Sequence, residues 1–242
     1  DDAPLRRGKE TVHEKWNINS AILSGDVMFV QAFVMVTSCK TEYLRSVLDL
    51  FNVTAIEVCE GQHLDMEFET REDVTIPEYI EMIKLKTSVL VGCALKLGAI
   101  LADATEEEAN LIYDFGLNLG IAFQIQDDIL DVYADPEKFG KQVGGDIIAN
   151  KKTFLLLKAF ELAEGDIKES LDTWTSYKDF DTKEKVETVR SVYDTLDVQN
   201  IAKESMNKYL DKALNVFAQI NVSDEQKSSL LTLTNQLMAR EY

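Results

Sequence analysis

The sequence is short of residues that break or turn a chain: its 242 residues include 3 Pro and 11 Gly. That scarcity disfavours a turn-rich all-β fold and favours long helices. Cations are also scarce, with 25 Lys+Arg against 43 Asp+Glu and a formal net charge of -18. Nucleic-acid backbones and anionic membrane surfaces both call for surplus Lys and Arg, so neither is expected as the main partner. The 3 cysteines, Cys39, Cys59 and Cys93, are odd in number, far apart and set among apolar residues. Reduced, buried thiols of a cytoplasmic protein are expected from this, not a disulfide framework or a zinc site. No run approaches the roughly 18 uninterrupted apolar residues that mark a bilayer span, so no transmembrane segment is expected. The opening Asp1-Asp2-Ala3-Pro4 reads as neither a signal peptide nor an initiation site, which suggests missing upstream residues.

What is present is apolar and helical. At 45% hydrophobic the chain can bury a large core, and no Pro-, Ser- or Gly-rich linker divides it, so residues 1–242 are expected to form a single domain. Stripes at steps of three and four predict helices over Ser20 to Thr37 and Tyr43 to about Phe68. A third begins after Pro77 and carries Tyr79, Ile83, Lys86, Leu90, Cys93 and Leu97 on one face. A fourth opens on the capping box Thr105-x-x-Glu108 and stops before Pro136. Further helices are predicted over Thr153 to Ala163, Ile167 to Thr173, Lys183 to Ile220 and Ser223 to Arg240.

Several of these stripes carry charged or amide residues where only apolar ones belong. Burying such groups without partners costs several kcal/mol, so their placement points to function. Gln62 and Asp65 follow Val58, and Lys86 sits between Ile83 and Leu90. The face Tyr113, Gly116, Gly120, Gln124, Asp127, Asp131 is small, then polar, then doubly acidic. Asp127 and Asp131 stack one turn apart, where two carboxylates can share hard cations. Cations lie at Arg6-Arg7-Gly8-Lys9, at Lys141 and at Lys151-Lys152, where guanidinium and ammonium groups suit phosphate oxygens. The Gly144-Gly145 pair is no nucleotide loop, since it lacks the Gly-Lys-Ser/Thr ending and no strand precedes it. A pocket of carboxylates with cations nearby suggests a magnesium and polyphosphate site.

Phe123-Gln124-Ile125-Gln126-Asp127-Asp128-Ile129-Leu130-Asp131 resembles the second aspartate-rich motif of the trans-isoprenyl diphosphate synthases, the polyprenyl synthetase family. Asp1-x-x-x-x-Arg6-Arg7-Gly8 resembles the tail of that family's first aspartate-rich motif. Gly61-Gln62-x-x-Asp65, Lys86-Thr87 and Gly140-Lys141 through Gly145-Asp146 to Lys151 match in the family's order. The resemblance implies an all-α, isoprenoid-synthase-type bundle of long antiparallel helices around a central cavity. It implies a magnesium-dependent prenyltransferase that condenses isopentenyl diphosphate with an allylic diphosphate, and a homodimer. By the same resemblance Asp1, Asp127 and Asp131 hold the magnesium ions, a trinuclear cluster with diphosphate bound. Arg6, Lys86 and Lys141 contact the leaving diphosphate, and Arg7 contacts isopentenyl diphosphate. Thr87 and Gln124 flank the reacting carbons, and Lys151 supports the diphosphate pocket. The departing diphosphate is the expected proton acceptor, so neither His13 nor His63 is needed as a base. The Asp-Asp pair that normally precedes Asp1 and the family's N-terminal helices are absent from this sequence, which reads as a truncated chain with its product length open.

Three rivals share parts of this pattern. Glu10-x-x-His13 and Glu60-x-x-His63 are pairs of the kind used by di-iron carboxylate bundles, though that reading leaves Lys86, Asp127 and Asp131 unexplained. A terpene cyclase of the same fold would ionise a prenyl diphosphate without isopentenyl diphosphate, but is not expected to keep the Arg pair with the second acidic motif. A non-catalytic partner subunit would have lost acids such as Asp127.

Overall fold

Helices begin where the sequence supplies their caps. In the computed structural model, which describes residues 3–6, 8–134, 143–176 and 179–240, Thr75, Thr105 and Ser223 each close a capping box with the acid or amide three residues on. Each box satisfies two backbone N–H groups that a helix start leaves unpaired. The described chain is all-α apart from one two-stranded antiparallel ribbon, β1 (Leu5–Arg6) and β2 (Lys9–Glu10). Chain packing divides it into two compact units, Asp1–Phe51 and Asn52–Tyr242.

The first unit holds the ribbon, α1 (Val12–Lys15), α2 (Ile18–Val36) and the start of α3 (Thr41–Phe68). Gly8, at φ 71° in the ribbon's turn, adopts the left-handed conformation that glycine takes without steric cost. Phe29, Phe33 and Phe51 pack ring against ring, with Phe33 edge-on to Phe51 at 4.9 Å between centroids. No α2 residue is buried, and Val30 and Val34 are 62% and 64% exposed. Among the described helices α2 alone is long and apolar enough to cross a bilayer, at a mean hydropathy of 1.4. The uninterrupted apolar run of a bilayer span is still lacking there, because Ser20, Ser24, Asp26 and Gln31 break it.

The second unit continues with α4 (Ile76–Ile83), a π-helical turn (Lys84–Ser88), α5 (Val89–Leu101) and α6 (Glu106–Tyr133). There follow α7 (Gly145–Ile148), α8 (Phe154–Leu162), α9 (Gly165–Ser176), α10 (Thr182–Thr195), α11 (Val198–Ala218) and α12 (Asp224–Met238). α6 is the axis of the packing, lying against α5 on one side and α11 on another. Its Ile121, Ile125 and Ile129 enter a core with Tyr79, Ile83, Phe154, Leu155 and Tyr193. Its Phe115 and Leu119 join Ala213, Phe217 and Ile220 in a second cluster. Close approach depends on small residues: a Cβ on Gly120 would lie 2.7 Å from the Ser88 Cα, and one on Gly116 2.8 Å from the Gly92 Cα.

Three sequence expectations are corrected here. The predicted third helix is interrupted by the π turn, whose wider spacing rotates the following face, so Val89 is buried and Leu90 is 56% exposed. The span Lys183 to Ile220 is two helices, parted where Asp197 takes φ 56°. Of the cysteines only Cys93 is buried; Cys59 is exposed and Cys39 intermediate.

Candidate active site

The polar half of α6 gathers acids and cations from four neighbouring segments of the second unit. The π turn is the first. Gly61 on α3 presses against it so closely that an added Cβ would stand 2.2 Å from the Lys86 backbone nitrogen. One turn further along α3, Asp65 therefore meets the Lys86 ammonium at 2.5 Å, with the two side chains 17% and 31% exposed. The same turn brings the Thr87 hydroxyl to 3.4 Å from Gln124 Oε1 on α6.

Asp128 and Asp131 hold the next segments. Asp128 is 3% exposed and accepts from the Tyr79 hydroxyl at 2.5 Å and from the Phe154 N–H at 3.0 Å. Burial, with Asp146 nearby, pushes its carboxyl up to about 7 against the opposing pull of those donors and of Lys151. Asp131 accepts from the Asp146 N–H at 2.9 Å, so the start of α7 is tied to the acidic motif. Asp146 pairs with Lys151 at 3.6 Å. Burial raises the Asp146 carboxyl, Lys151 opposes the rise, and the charges of Asp127 and Asp65 add to it. Burial works to lower the Lys151 ammonium, but Asp146, Asp128 and Asp65 outweigh it and the net shift is upward. Each of these groups thus feels the others' charge.

Three contributors escaped the sequence reading. Tyr79 lies on a core stripe, yet its hydroxyl donates to Asp128. Lys185, fully buried on α10, donates to the Ile148 carbonyl at 3.2 Å and to Asn150 Oδ1 at 2.6 Å, and so secures the turn that leads into Lys151. Arg240, just past α12, reaches Asp127 Oδ1 at 2.6 Å. No sequence signal marks the last two, because their partners are far along the chain.

The family model described as Polyprenyl synthetase matches residues 1–195. The chain belongs to the polyprenyl synthetase family. Geranylgeranyl diphosphate synthase of Saccharolobus solfataricus is 37% identical over 238 residues, 96% of this chain and 70% of that protein. Geranylgeranyl diphosphate synthase of Methanosarcina mazei is 43% identical over 163 residues, 66% of this chain and 50% of that protein. The chain spans about half the length of the curated relatives with the strongest matches, at 50%, 47% and 53%. A crystal structure of a geranylgeranyl pyrophosphate synthase superposes with a TM-score of 0.92 at 45% identity, over 99% of this chain and 74% of the other. That of the Pyrococcus horikoshii geranylgeranyl pyrophosphate synthetase gives 0.90 at 36%, over 98% and 72%.

Set against the family's motif positions, Lys86, Thr87, Gln124, Asp127, Asp131 and Lys151 all lie in the second unit, at or beside the acidic end of α6. Arg6 is exposed in β1 of the first unit. Asp1, Arg7 and Lys141 fall outside the described residues. Gln62, expected to share a site with Asp65, is exposed. Glu10 lies in β2 and His13 in the four-residue α1, so the paired-helix geometry of a di-iron bundle is not formed there. Among the described residues no group of three His, Cys, Asp or Glu side chains converges as a metal cage. Asp127 and Asp131, oxygen donors one turn apart on α6, fit magnesium by their chemistry, since that ion takes one or two carboxylates and completes its shell with phosphate oxygens and water.

Proposed function

We propose that the protein is a magnesium-dependent trans-prenyltransferase that joins isopentenyl diphosphate to an allylic diphosphate, forming a short-chain all-trans prenyl diphosphate and releasing diphosphate. The observation that carries this reading is the convergence on α6 of two stacked carboxylates with Lys86 and Lys151, each paired to an acid. In the reaction the allylic C–O bond breaks, the double bond of isopentenyl diphosphate attacks the allylic carbon, and a proton leaves to the departing diphosphate. Lys86 and Lys151, with Arg6 and Lys141, supply preorganised positive charge to the leaving group. Thr87 and Gln124 flank the reacting carbons, and Arg7 holds isopentenyl diphosphate. Asp127 and Asp131, with Asp1, would hold magnesium, which when bound neutralises charge developing on the diphosphate. Alignment of solved relatives over 98–99% of the chain supports reading α2 as part of this fold and not as a span.

Diphosphate release by the full-length protein tests the reading. Release is expected only with magnesium, an allylic diphosphate and isopentenyl diphosphate together. Release from the allylic diphosphate alone would favour a cyclase, and none under any condition would favour a non-catalytic subunit. A homodimer belongs to the same proposal. The exposed apolar residues of α2, Ile22, Leu23, Val27 and Val30 among them, support it. Light scattering on the full-length protein is expected to give twice the protomer mass, and a monomer would count against it.

A further inference from the structure

Three residues of α6 grip the short segment that follows α12. Arg240 Nη2 meets Asp127 Oδ1 at 2.6 Å, and its guanidinium lies 4.3 Å from the centroid of the Phe123 ring, one turn away on the same helix. Between them Gln126, 6% exposed, donates its amide to the Met238 carbonyl at 2.8 Å and to the Arg240 carbonyl at 3.4 Å. Arg240 Nε closes the arrangement on the Leu237 carbonyl at 3.3 Å. The guanidinium is thus stacked, hydrogen-bonded and charge-paired, and its partner is an acid to which the proposed function gives a metal.

We propose that Arg240 is a built-in competitor of the divalent cation at Asp127. The guanidinium holds one of the two Asp127 oxygens, and its positive charge opposes a divalent ion brought to the same carboxylate, so metal loading and the Arg240 pair weaken each other. Asp127 is 42% exposed and Arg240 31%, so solvent weakens their pair and a divalent ion can displace it. Without metal, Arg240 offsets part of the negative charge that Asp127 presents to Asp146. With metal, the Asp127 pair weakens, and the residue 238–240 segment loosens onto its Gln126, Phe123 and Leu237 contacts. Linkage makes the effect reciprocal: whatever Arg240 costs the metal, the metal costs the segment.

This inference rests on the metal role of Asp127, and the experiment separates the two. Manganese(II) alone is titrated by calorimetry into the full-length wild-type protein, Arg240→Gln, Asp127→Asn and the double variant. Arg240→Gln is expected to bind about twofold to fivefold more tightly than wild type, the scale of a half-exposed ion pair. Asp127→Asn is expected to bind more weakly than wild type, and in the double variant the gain from Arg240→Gln is expected to vanish. Unchanged affinity in Arg240→Gln, with Asp127→Asn weakened, would overturn the competitor role and leave the metal reading standing. No loss in Asp127→Asn would overturn both. Hydrogen exchange adds a readout that a purely structural Arg240 would not move: amides of residues 238–240 are expected to exchange faster once magnesium is added.

Discussion

Replacing Gly61 by alanine is expected to destabilise the chain by about 2–3 kcal/mol, a fall in Tm of about 5–10 °C. The sign is the informative part. Gly61 lies inside the long helix α3, where alanine would ordinarily stabilise by about 1 kcal/mol through better helix propensity. Here the new Cβ would meet backbone, at 2.2 Å from the Lys86 nitrogen and 2.7 Å from the Leu85 carbonyl carbon, and backbone cannot swing aside as a side chain can. The π turn must therefore move, and Lys86 and Thr87 move with it. Activity is expected to fall further than stability alone would explain at a temperature where the variant is folded. Gly98→Ala in α5 is the control, because nothing lies within 4 Å of its added Cβ. It is expected to be neutral or slightly stabilising by thermal melts. Equal Tm values for the two variants would contradict the close packing of α3 on the π turn.

Asp127→Ala is expected to lower turnover by at least about a thousandfold, roughly 4 kcal/mol of barrier, with helicity unchanged by circular dichroism. Helicity survives because Asp127 sits on the half-exposed face of α6, where alanine is a better helix former, while the neighbouring Asp128 and Ile129 keep their buried partners. Turnover suffers because the lost carboxylate is one of the three that would hold the metal beside the leaving diphosphate. Activity retained within about tenfold, only ~1.4 kcal/mol, would remove Asp127 from that role.

The acids and cations of the second unit could be read from sequence because they violate an apolar period. Asp65, Lys86, Gln124, Asp127 and Asp131 each occupy a stripe position where a helix of ordinary pitch would bury carbon. The partners could not be read, since which acid meets Lys86 depends on how α3 packs on a turn 21 residues later. The π turn itself leaves no trace in a 3.6-residue pattern. Its effect appears only as the exchange of Val89 for Leu90 in the core. The break at Asp197 was missed for a related reason: it contains neither Gly nor Pro, and a single residue at φ 56° ends the helix. Arg240 is further still from local inference, standing 113 positions after Asp127.

The acidic surplus of -18 divides along the same line. Glu106, Glu107, Glu69, Glu72 and Asp73 are exposed and serve as solvated surface. Asp65, Asp128 and Asp146 are drawn inward and meet hydroxyl, backbone or ammonium partners. An acidic total therefore does not fix the local sign of charge, which a few placed lysines and arginines set where they stand.

The most direct measurement is the fate of labelled isopentenyl diphosphate supplied to the full-length protein with magnesium and an allylic diphosphate. The expected result is a labelled prenyl diphosphate longer by one or more five-carbon units, formed in step with diphosphate release and lost in Asp127→Ala. Diphosphate release with the label still in isopentenyl diphosphate would contradict prenyl transfer at this site.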